Sequence, residues 1–437
     1  MKYLLQLFIF LLPFHAIFVT YLKCKAGIDT DILRFWKEIV ISILLAIVSL
    51  KILFTNKFNL EKIYKNNYLL GLTTAFVICS FIYIFFPYFN IKTTNLLGFK
   101  YDVFFLFAFI IGLYLISIKN NFKSILISNF LSIGVILMIF LPWYMSGNIE
   151  STTQIIGFDN TPSTYEANSC ISFSQNVTGG HNRFQGSFGD PIRFGVFLVV
   201  FYLIFLGFIL ENTKQNKLNR FFIIGIVSVL IITSIFYSFT KTSMLGFVFG
   251  VLTFIYLSRK IIYNKTIPKK ILISISSLMA LGLVLLVYIK RNLFLHPEAI
   301  LGRVENLVIS VKMFFVNPFG YGLGIAGPAS WLSTSSDKAM SAGVNKFLPE
   351  NWYIQILLEQ GILGISLFLG LIIVIGVNLF DIVKRKKDYL SIGIFTSYLA
   401  LLFMANFTHA FEESATSYIL FIIIGGYISL EKQKNKV

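Results

Sequence analysis

Apolar runs of about twenty residues alternate with short polar segments along the whole chain. An α-helix rises 1.5 Å per residue, so about 20 apolar residues cross a hydrocarbon core of roughly 30 Å. Within the runs, apolar and polar residues do not alternate as they do in the strands of an outer-membrane barrel. We therefore predict about twelve transmembrane helices, at residues 3–22, 39–54, 68–88, 101–118, 124–142, 191–210, 221–238, 243–258, 271–289, 352–380, 389–405 and 415–430.

The composition supports this all-α, polytopic membrane class. Hydrophobic residues make up 56% of the 437 residues and charged residues only 13%, and the mean hydropathy is +0.78. Soluble domains carry about twice that share of charge. The first apolar run is long and no small-residue cleavage site follows it, so we expect a retained span rather than a removed signal peptide.

The net charge of +17 comes from short basic clusters between the apolar runs. If both termini are cytoplasmic, 22 basic residues lie in cytoplasmic segments and 7 in the short outer turns. The positive-inside rule selects this orientation over its inverse. Because the positive charge is spread over loops between spans, it does not indicate a nucleic-acid partner.

This orientation divides the chain into five parts, two of which are long outer loops. Loops of such length in a compact protein typically bind or catalyse. The spans carry few acidic residues near their centres and show no internal repeat, which disfavours an ion-coupled transporter. The parts are helices at 1–142, an outer loop at 143–190, helices at 191–289, an outer loop at 290–350, and helices with a cytoplasmic tail at 351–437.

The first outer loop ends in a polar segment that leads directly into a span. Asp190 and Pro191 are residue types of a helix cap and a first helical turn. Arg183 is the only lysine or arginine between Trp143 and Asp190, so we consider it a candidate for binding an anionic substrate. Arg193, just inside the span, either extends to the interface or binds a ligand.

A short outer turn contains Lys241, at a place where the positive-inside rule favours no cation. This lysine either faces lipid headgroups or contacts an anionic ligand.

The second outer loop begins with helical apolar spacing at 299–315, which predicts a helix along the membrane interface. Arg303 lies near its start, and Glu305 either pairs with Arg303 or caps the helix. The segment 317–324 reads Asn-Pro-Phe-Gly-Tyr-Gly-Leu-Gly, which indicates tight turns and close backbone approach. No strand precedes these glycines, so they do not form a dinucleotide-binding motif.

Glu350 and Asn351 end this loop at the start of the tenth predicted span. Glu350 either caps the helix or acts as a general base beside a hydroxyl at the membrane surface. A later outer turn carries His409, Glu412 and Glu413, and it is either part of a sugar-binding rim or a simple polar turn.

Taken together and in this order, these residues resemble the O-antigen polymerase and ligase superfamily over about residues 180–365. Lys241 replaces an arginine of that pattern, which keeps the charge but loses the bidentate fork. Glu350 replaces the histidine of the ligase branch, which favours the polymerase branch. The matching motifs are Arg183 with Gly186, Phe188 and Pro191; Lys241; Gly302 with Arg303; residues 317–324; and residues 350–364, where a Glu-Asn pair precedes Tyr-x-x-x-Leu-x-Glu-x-Gly-x-x-Gly.

The resemblance implies a GT-C-like membrane glycosyltransferase in the bacterial cytoplasmic (inner) membrane, with its site facing the periplasm or exterior. It implies transfer of a growing glycan from polyprenyl pyrophosphate to a hydroxyl of a lipid-linked repeat unit, as in the synthesis of O-antigen, capsule or exopolysaccharide. Besides these substrates and the membrane lipids, a chain-length regulator and a flippase are candidate partners. We expect no cofactor and no metal, because no His/Cys metal pattern occurs, and we expect inversion at the anomeric carbon.

The residue types fit this chemistry. A leaving pyrophosphate gathers negative charge, which Arg183, Lys241, Arg303 and Arg193 could stabilise. A hydroxyl nucleophile needs a base, for which Glu350 is the candidate, with Asn351 helping to orient it.

Two alternatives stay open at this point. One is a ligase that moves finished glycan to lipid A core or to a protein. The other is a flippase or transporter of lipid-linked oligosaccharides, which would place cations inside its helices along a central cavity rather than in outer loops.

Overall fold

The computed structural model describes residues 2–28, 31–55, 68–86, 93–116, 119–147, 156–157, 176–177, 181–211, 217–264, 297–331 and 347–434. These residues are almost entirely helical. A two-residue hairpin pairs β1 (Asn176–Val177) with β2 (His181–Asn182). The helices are α1 (Lys2–Leu11), α2 (His15–Cys24), α3 (Asp31–Thr55), α4 (Tyr68–Phe85), α5 (Thr93–Leu115), α6 (Lys119–Met145), α7 (Pro191–Glu211), α8 (Lys217–Tyr237), α9 (Lys241–Leu257), α10 (Pro297–Val316), α11 (Pro328–Trp331), α12 (Trp352–Lys386), α13 (Tyr389–Met404) and α14 (Ser414–Lys434).

Two short helical segments complete these elements. Leu12–Phe14 forms a 3-10 turn between α1 and α2, and Ser258–Ile262 forms a π-helical turn after α9. Both continue a neighbouring helix, so that residues 3–24 and 241–262 each form one long apolar segment.

Eight helical segments within the described ranges are long and apolar enough to cross a membrane, which confirms the predicted all-α, multi-pass class. They are Tyr3–Cys24, Tyr68–Phe85, Thr93–Leu115, Asn121–Met145, Pro191–Glu211, Lys241–Ile262, Trp352–Lys386 and Ser414–Lys432. Helices also cover three other predicted spans, at α3, α8 and α13. The predicted span at 271–289 lies outside the described residues, and the total number of spans and their orientation stay predictions.

Two helices begin about two turns before the spans predicted from the apolar runs. α3 begins at Asp31 rather than residue 39, and α5 begins at Thr93 rather than residue 101. The first turns of α5 contact protein, because a Cβ added to Gly98 would lie 2.5 Å from the backbone nitrogen of Gly324. Lys100 also forms an ion pair with Glu38 at 3.1 Å. Polar residues can extend a membrane helix where other protein groups satisfy them.

The described helices belong to two compact units. The first comprises Met1–Phe35, Lys123–His296 and Leu379–Met404. Within it, α7 is buried along most of its length and packs closely against α13. The two backbones approach at Gly207, where a Cβ would lie 2.5 Å from the carbonyl oxygen of Tyr389. Small residues at such crossings let membrane helices pack without a hydrophobic driving force.

The second unit comprises Trp36–Phe122, Pro297–Asn378 and Ala405–Val437. Its central packing joins α5 to α14, where a Cβ on Gly112 would lie 2.3 Å from the carbonyl oxygen of Ile422. Rings from α5, α12, α14 and the turn before α14 form one aromatic cluster, comprising Phe105, Trp352, Phe368, Phe411 and Phe421. This cluster fixes the start of α12 inside the unit.

Candidate active site

The predicted base and one predicted cation meet in the second unit. The Nε atom of Arg303, on α10, donates to Oε2 of Glu350 at 2.5 Å. Their side chains are 48% and 39% exposed, so a ligand in solution or at the membrane surface can reach both. The predicted helix at 299–315 is confirmed by α10, and Arg303 pairs with Glu350 rather than with Glu305.

Glu350 does not cap α12. It adopts φ +49°, a left-handed conformation that non-glycine residues seldom take. The cap is Asn351, whose Oδ1 accepts the N–H of Ile354 at 3.1 Å. Its Nδ2 donates to the carbonyl oxygen of Asn406 at 3.0 Å. Helix capping therefore accounts for Asn351, whereas the carboxylate of Glu350 takes no part in the cap.

The glycine segment 317–324 packs into a break in α12. At Gly361 the backbone leaves the helical conformation, with φ +62° and ψ −161°. A Cβ there would lie 2.3 Å from the carbonyl carbon of Phe319, so only glycine permits this approach. The freed N–H of Ile362 donates to the carbonyl oxygen of Pro318 at 2.9 Å. The expected close backbone approach of these glycines is thereby confirmed.

Backbone groups on the other side of the break are also satisfied by this segment. The N–H of Tyr321 donates to the carbonyl oxygen of Leu358 at 2.9 Å, and that of Gly322 to Glu359 at 3.0 Å. Broken helices survive at membrane depth only where protein supplies such partners.

Polar side chains missed by the sequence analysis form a buried network beside the break. Gln360 donates from Nε2 to Oδ2 of Asp102 on α5 at 2.7 Å, and its Oε1 accepts the hydroxyl of Ser80 on α4 at 3.0 Å. All three residues are fully buried. The available signal was Asp102 itself, because a lone acidic residue in an apolar span marks a polar interior.

Two more acidic residues of the same unit are buried close to Asp102. Glu359 accepts the N–H of Ala326 on Oε1 at 3.1 Å. Glu412 accepts from Nε2 of Gln355 at 3.0 Å. The turn that carries Glu412 and His409 is joined to the start of α12 by the N–H of Trp352, which donates to Ala405 at 2.9 Å.

The remaining predicted cations lie in the first unit. Arg183 is largely buried and donates from Nε to the carbonyl oxygen of Ser238 at 2.9 Å. Burial lowers the pKa of its guanidinium, while the charge of Asp190 opposes that shift. The neighbouring N–H of Phe184 donates to Tyr237 at 2.9 Å, which holds the loop against the end of α8.

Arg183 and Lys241 approach the same turn between α8 and α9. Arg183 contacts Ser238, and Lys241 is the first, exposed residue of α9. Between them, Phe239 adopts φ +50°, a conformation as unusual for its residue type as that of Glu350.

Arg193 and Asp190 lie at the start of α7. Arg193 is partly buried in the first turn. The predicted cap is confirmed, because Oδ1 of Asp190 accepts the N–H of Ile192 at 2.7 Å.

Among the described residues, no group of three His, Cys, Asp or Glu side chains is arranged to hold a metal ion. The charged groups at these positions are an exposed carboxylate and an exposed guanidinium in the second unit, and a partly buried guanidinium and an exposed lysine in the first.

These features define a multi-pass membrane protein with polar groups at the ends of apolar helices. Residues 226–369 match the family model described as O-Antigen ligase, which confirms the resemblance to the O-antigen polymerase and ligase superfamily. The match covers about a third of the chain and includes Lys241, Arg303, Glu350 and Asn351. Arg183 and Arg193 precede it, and comparison with curated proteins found no significant match.

The family supports a function of the O-antigen polymerase or ligase type. Such a function implies glycosyltransferase-type activity on lipid-linked oligosaccharides in a membrane.

Proposed function

We propose that this protein is a polymerase of polysaccharide repeat units. It transfers the growing glycan from polyprenyl pyrophosphate to a hydroxyl of a lipid-linked repeat unit, on the outer face of the bacterial cytoplasmic membrane. The observation that carries this proposal is the exposed pair of Arg303 and Glu350 at the start of α12, inside the region that matches the family.

In the proposed reaction, the acceptor oxygen forms a bond to the anomeric carbon of the donor sugar. The bond between that carbon and the pyrophosphate oxygen breaks, and its electron pair leaves with the pyrophosphate. The hydroxyl proton passes to the carboxylate of Glu350, the general base. A single displacement of this kind inverts the anomeric configuration.

Arg303 serves two purposes in this scheme. In the free protein it holds the Glu350 carboxylate through Nε. An exposed ion pair contributes only about 0–1 kcal/mol, so an incoming anion can replace the carboxylate at little cost. The guanidinium then stabilises the charge on the leaving pyrophosphate. Arg183, Lys241 and Arg193 are further candidate ligands of pyrophosphate, and Asn351 contributes by fixing the start of α12 beside Glu350.

The polymerase is preferred to the ligase because Glu350 takes the place of the histidine of the ligase branch. A flippase is less consistent with the exposed position of the Arg303 and Glu350 side chains. Capsule, O-antigen and exopolysaccharide all fit the proposed reaction, and a chain-length regulator and a flippase are proposed partners.

The test is a gel of surface polysaccharide from a deletion strain and its complemented parent. Loss of the ladder with one repeat unit still displayed supports the polymerase. Loss of both, with lipid-linked polymer accumulating in the outer leaflet, indicates a ligase. Lipid-linked single units trapped on the cytoplasmic face indicate a flippase.

The proposed transfer needs no metal ion. The purified protein should therefore polymerise lipid-linked units equally well with and without EDTA. Inhibition by EDTA that magnesium reverses would contradict this part of the mechanism.

A further inference from the structure

Glu359 is a buried carboxyl group within a predicted span, with an exposed fraction of 0%. Burying a carboxyl group costs several kcal/mol unless hydrogen bonds compensate it. A leucine or methionine of similar volume would avoid that cost. The interactions of Glu359 therefore need an explanation.

Glu359 holds residues 322–326 at two points. Its side-chain Oε1 accepts the N–H of Ala326 at 3.1 Å, and its backbone carbonyl accepts the N–H of Gly322 at 3.0 Å. The backbone contact depends on the helix break, but the side-chain contact depends on the residue type at 359.

Ala326 is in turn joined to the segment that leads to Glu350. Ala326 and Phe347 form a parallel β-bridge, and the N–H of Gly327 donates to the carbonyl oxygen of Phe347 at 3.1 Å. The hydroxyl of Ser330 donates to the same oxygen at 3.2 Å. Phe347 lies three residues before Glu350 in the sequence, so its position limits where Glu350 can lie.

The same contacts fix the helix that carries Arg303. Ile309 and Met313 of α10 pack against the cluster of Ala326, Phe347 and Leu358. Asn306 of α10 donates to the carbonyl oxygen of Leu348 at 3.1 Å. The positions of both Arg303 and Glu350 thus depend on the segments around Ala326 and Phe347, which Glu359 contacts through Ala326.

We propose that Glu359 is a positioning residue: through Ala326 and Phe347 it sets the place of Glu350 relative to Arg303. This inference rests on the proposed function for its catalytic consequence. Its structural part, the connection from Glu359 to the outer segment, can be tested without activity.

The main variants change the hydrogen-bond acceptor at position 359. Glu359→Met removes the acceptor and keeps the volume, so kcat should fall about 10- to 100-fold, because small displacements of catalytic groups cost that much. KM for the lipid-linked unit should change by less than about 3-fold, because Glu359 is fully buried. Glu359→Gln keeps an acceptor oxygen and should retain kcat within about 3-fold.

Ser80→Ala is the matched control. It removes another buried hydrogen bond to α12, through Gln360, but leaves Ala326 held. Its kcat should equal that of the unmodified protein within about 2-fold, even if its thermal stability falls.

A second readout is hydrogen–deuterium exchange of the full-length protein in detergent micelles. The peptide around residues 322–330 should exchange faster in Glu359→Met than in Ser80→Ala. Glu359→Asp, which keeps the charge but withdraws the carboxylate by one methylene, should reproduce the faster exchange and the lower kcat if the methionine variant fails to fold.

Three results would overturn the inference: unchanged kcat in Glu359→Met or Glu359→Asp, unchanged exchange at 322–330, or a glutamine variant as impaired as the methionine variant. If the unmodified protein does not polymerise lipid-linked units, the proposed function fails instead, and the exchange data alone decide the structural connection.

Discussion

Two carboxylates near the start of α12 lie in opposite surroundings. Glu350 is 39% exposed and contacts the charged side chain of Arg303. Glu359 is fully buried, and its side chain accepts from the backbone of Ala326. An exposed ion pair can exchange its partner for a ligand at little cost. A buried carboxylate cannot lose its partner without a penalty of several kcal/mol. Glu350 is therefore suited to the proposed chemistry, and Glu359 to holding the geometry of the site.

The largest effect is expected at the exposed pair. Glu350→Gln removes the proposed base and Arg303→Ala removes its partner, so each should lower chain growth about 10²- to 10⁴-fold. Membrane abundance and unfolding temperature should stay unchanged, because both side chains are exposed. Polysaccharide length on gels and turnover of purified protein provide the measurement.

Glu305→Gln is the control for this pair. It neutralises an exposed carboxylate on the same helix as Arg303 and should leave chain length normal. Normal polymer from both Glu350→Gln and Arg303→Ala would remove these residues from the mechanism.

A smaller effect, on stability rather than turnover, is expected at the helix break. Gly361→Ala places a Cβ 2.3 Å from Phe319 at φ +62°, so the variant should lose about 2–3 kcal/mol of stability. The measurement is the midpoint of thermal unfolding in detergent.

Gly370→Ala, later in the same helix, is the matched control, because a Cβ there meets nothing within 4 Å. It should be neutral or slightly stabilising, since alanine favours helix over glycine. Equal midpoints for the two variants would mean that the break tolerates a side chain.

The smallest effect is expected at Lys241. Lys241→Arg keeps the positive charge at the exposed first residue of α9, so chain growth should stay within about 2-fold of normal. Lys241→Gln, which loses the charge, should shorten the chains. Loss of chain growth in Lys241→Arg would show that an arginine does not fit this turn.

The sequence predicted the helices well because each apolar run specifies its own secondary structure. Runs such as 191–210 and 389–405 agree with α7 and α13 within one or two residues. The start of α5 was missed because several of residues 93–100 are polar. These residues pack against Gly324 and form an ion pair with Glu38, and both partners are distant in the sequence.

The candidate site could be predicted only residue by residue. Arg303 and Glu350 were identified individually, but their contact spans 47 residues and local patterns do not report it. From the sequence, Glu305 either paired with Arg303 or capped the helix, and local spacing did not point to Glu350. The break at Gly361 could not be predicted for a related reason. Glycine is common in membrane helices, and only the contacts with the loop at 318–322 show that Gly361 is not helical.

The bond between Asp102 and Gln360 also has a consequence for biosynthesis. Gln360 leaves the ribosome 258 residues after Asp102. At a translation rate of about 5–20 residues per second, Gln360 is synthesised roughly 10 to 50 seconds after Asp102. During that interval other groups must satisfy the carboxyl group, such as water, lipid headgroups or the insertion machinery. Final burial of α5 is therefore a late event, completed only when α12 has been made.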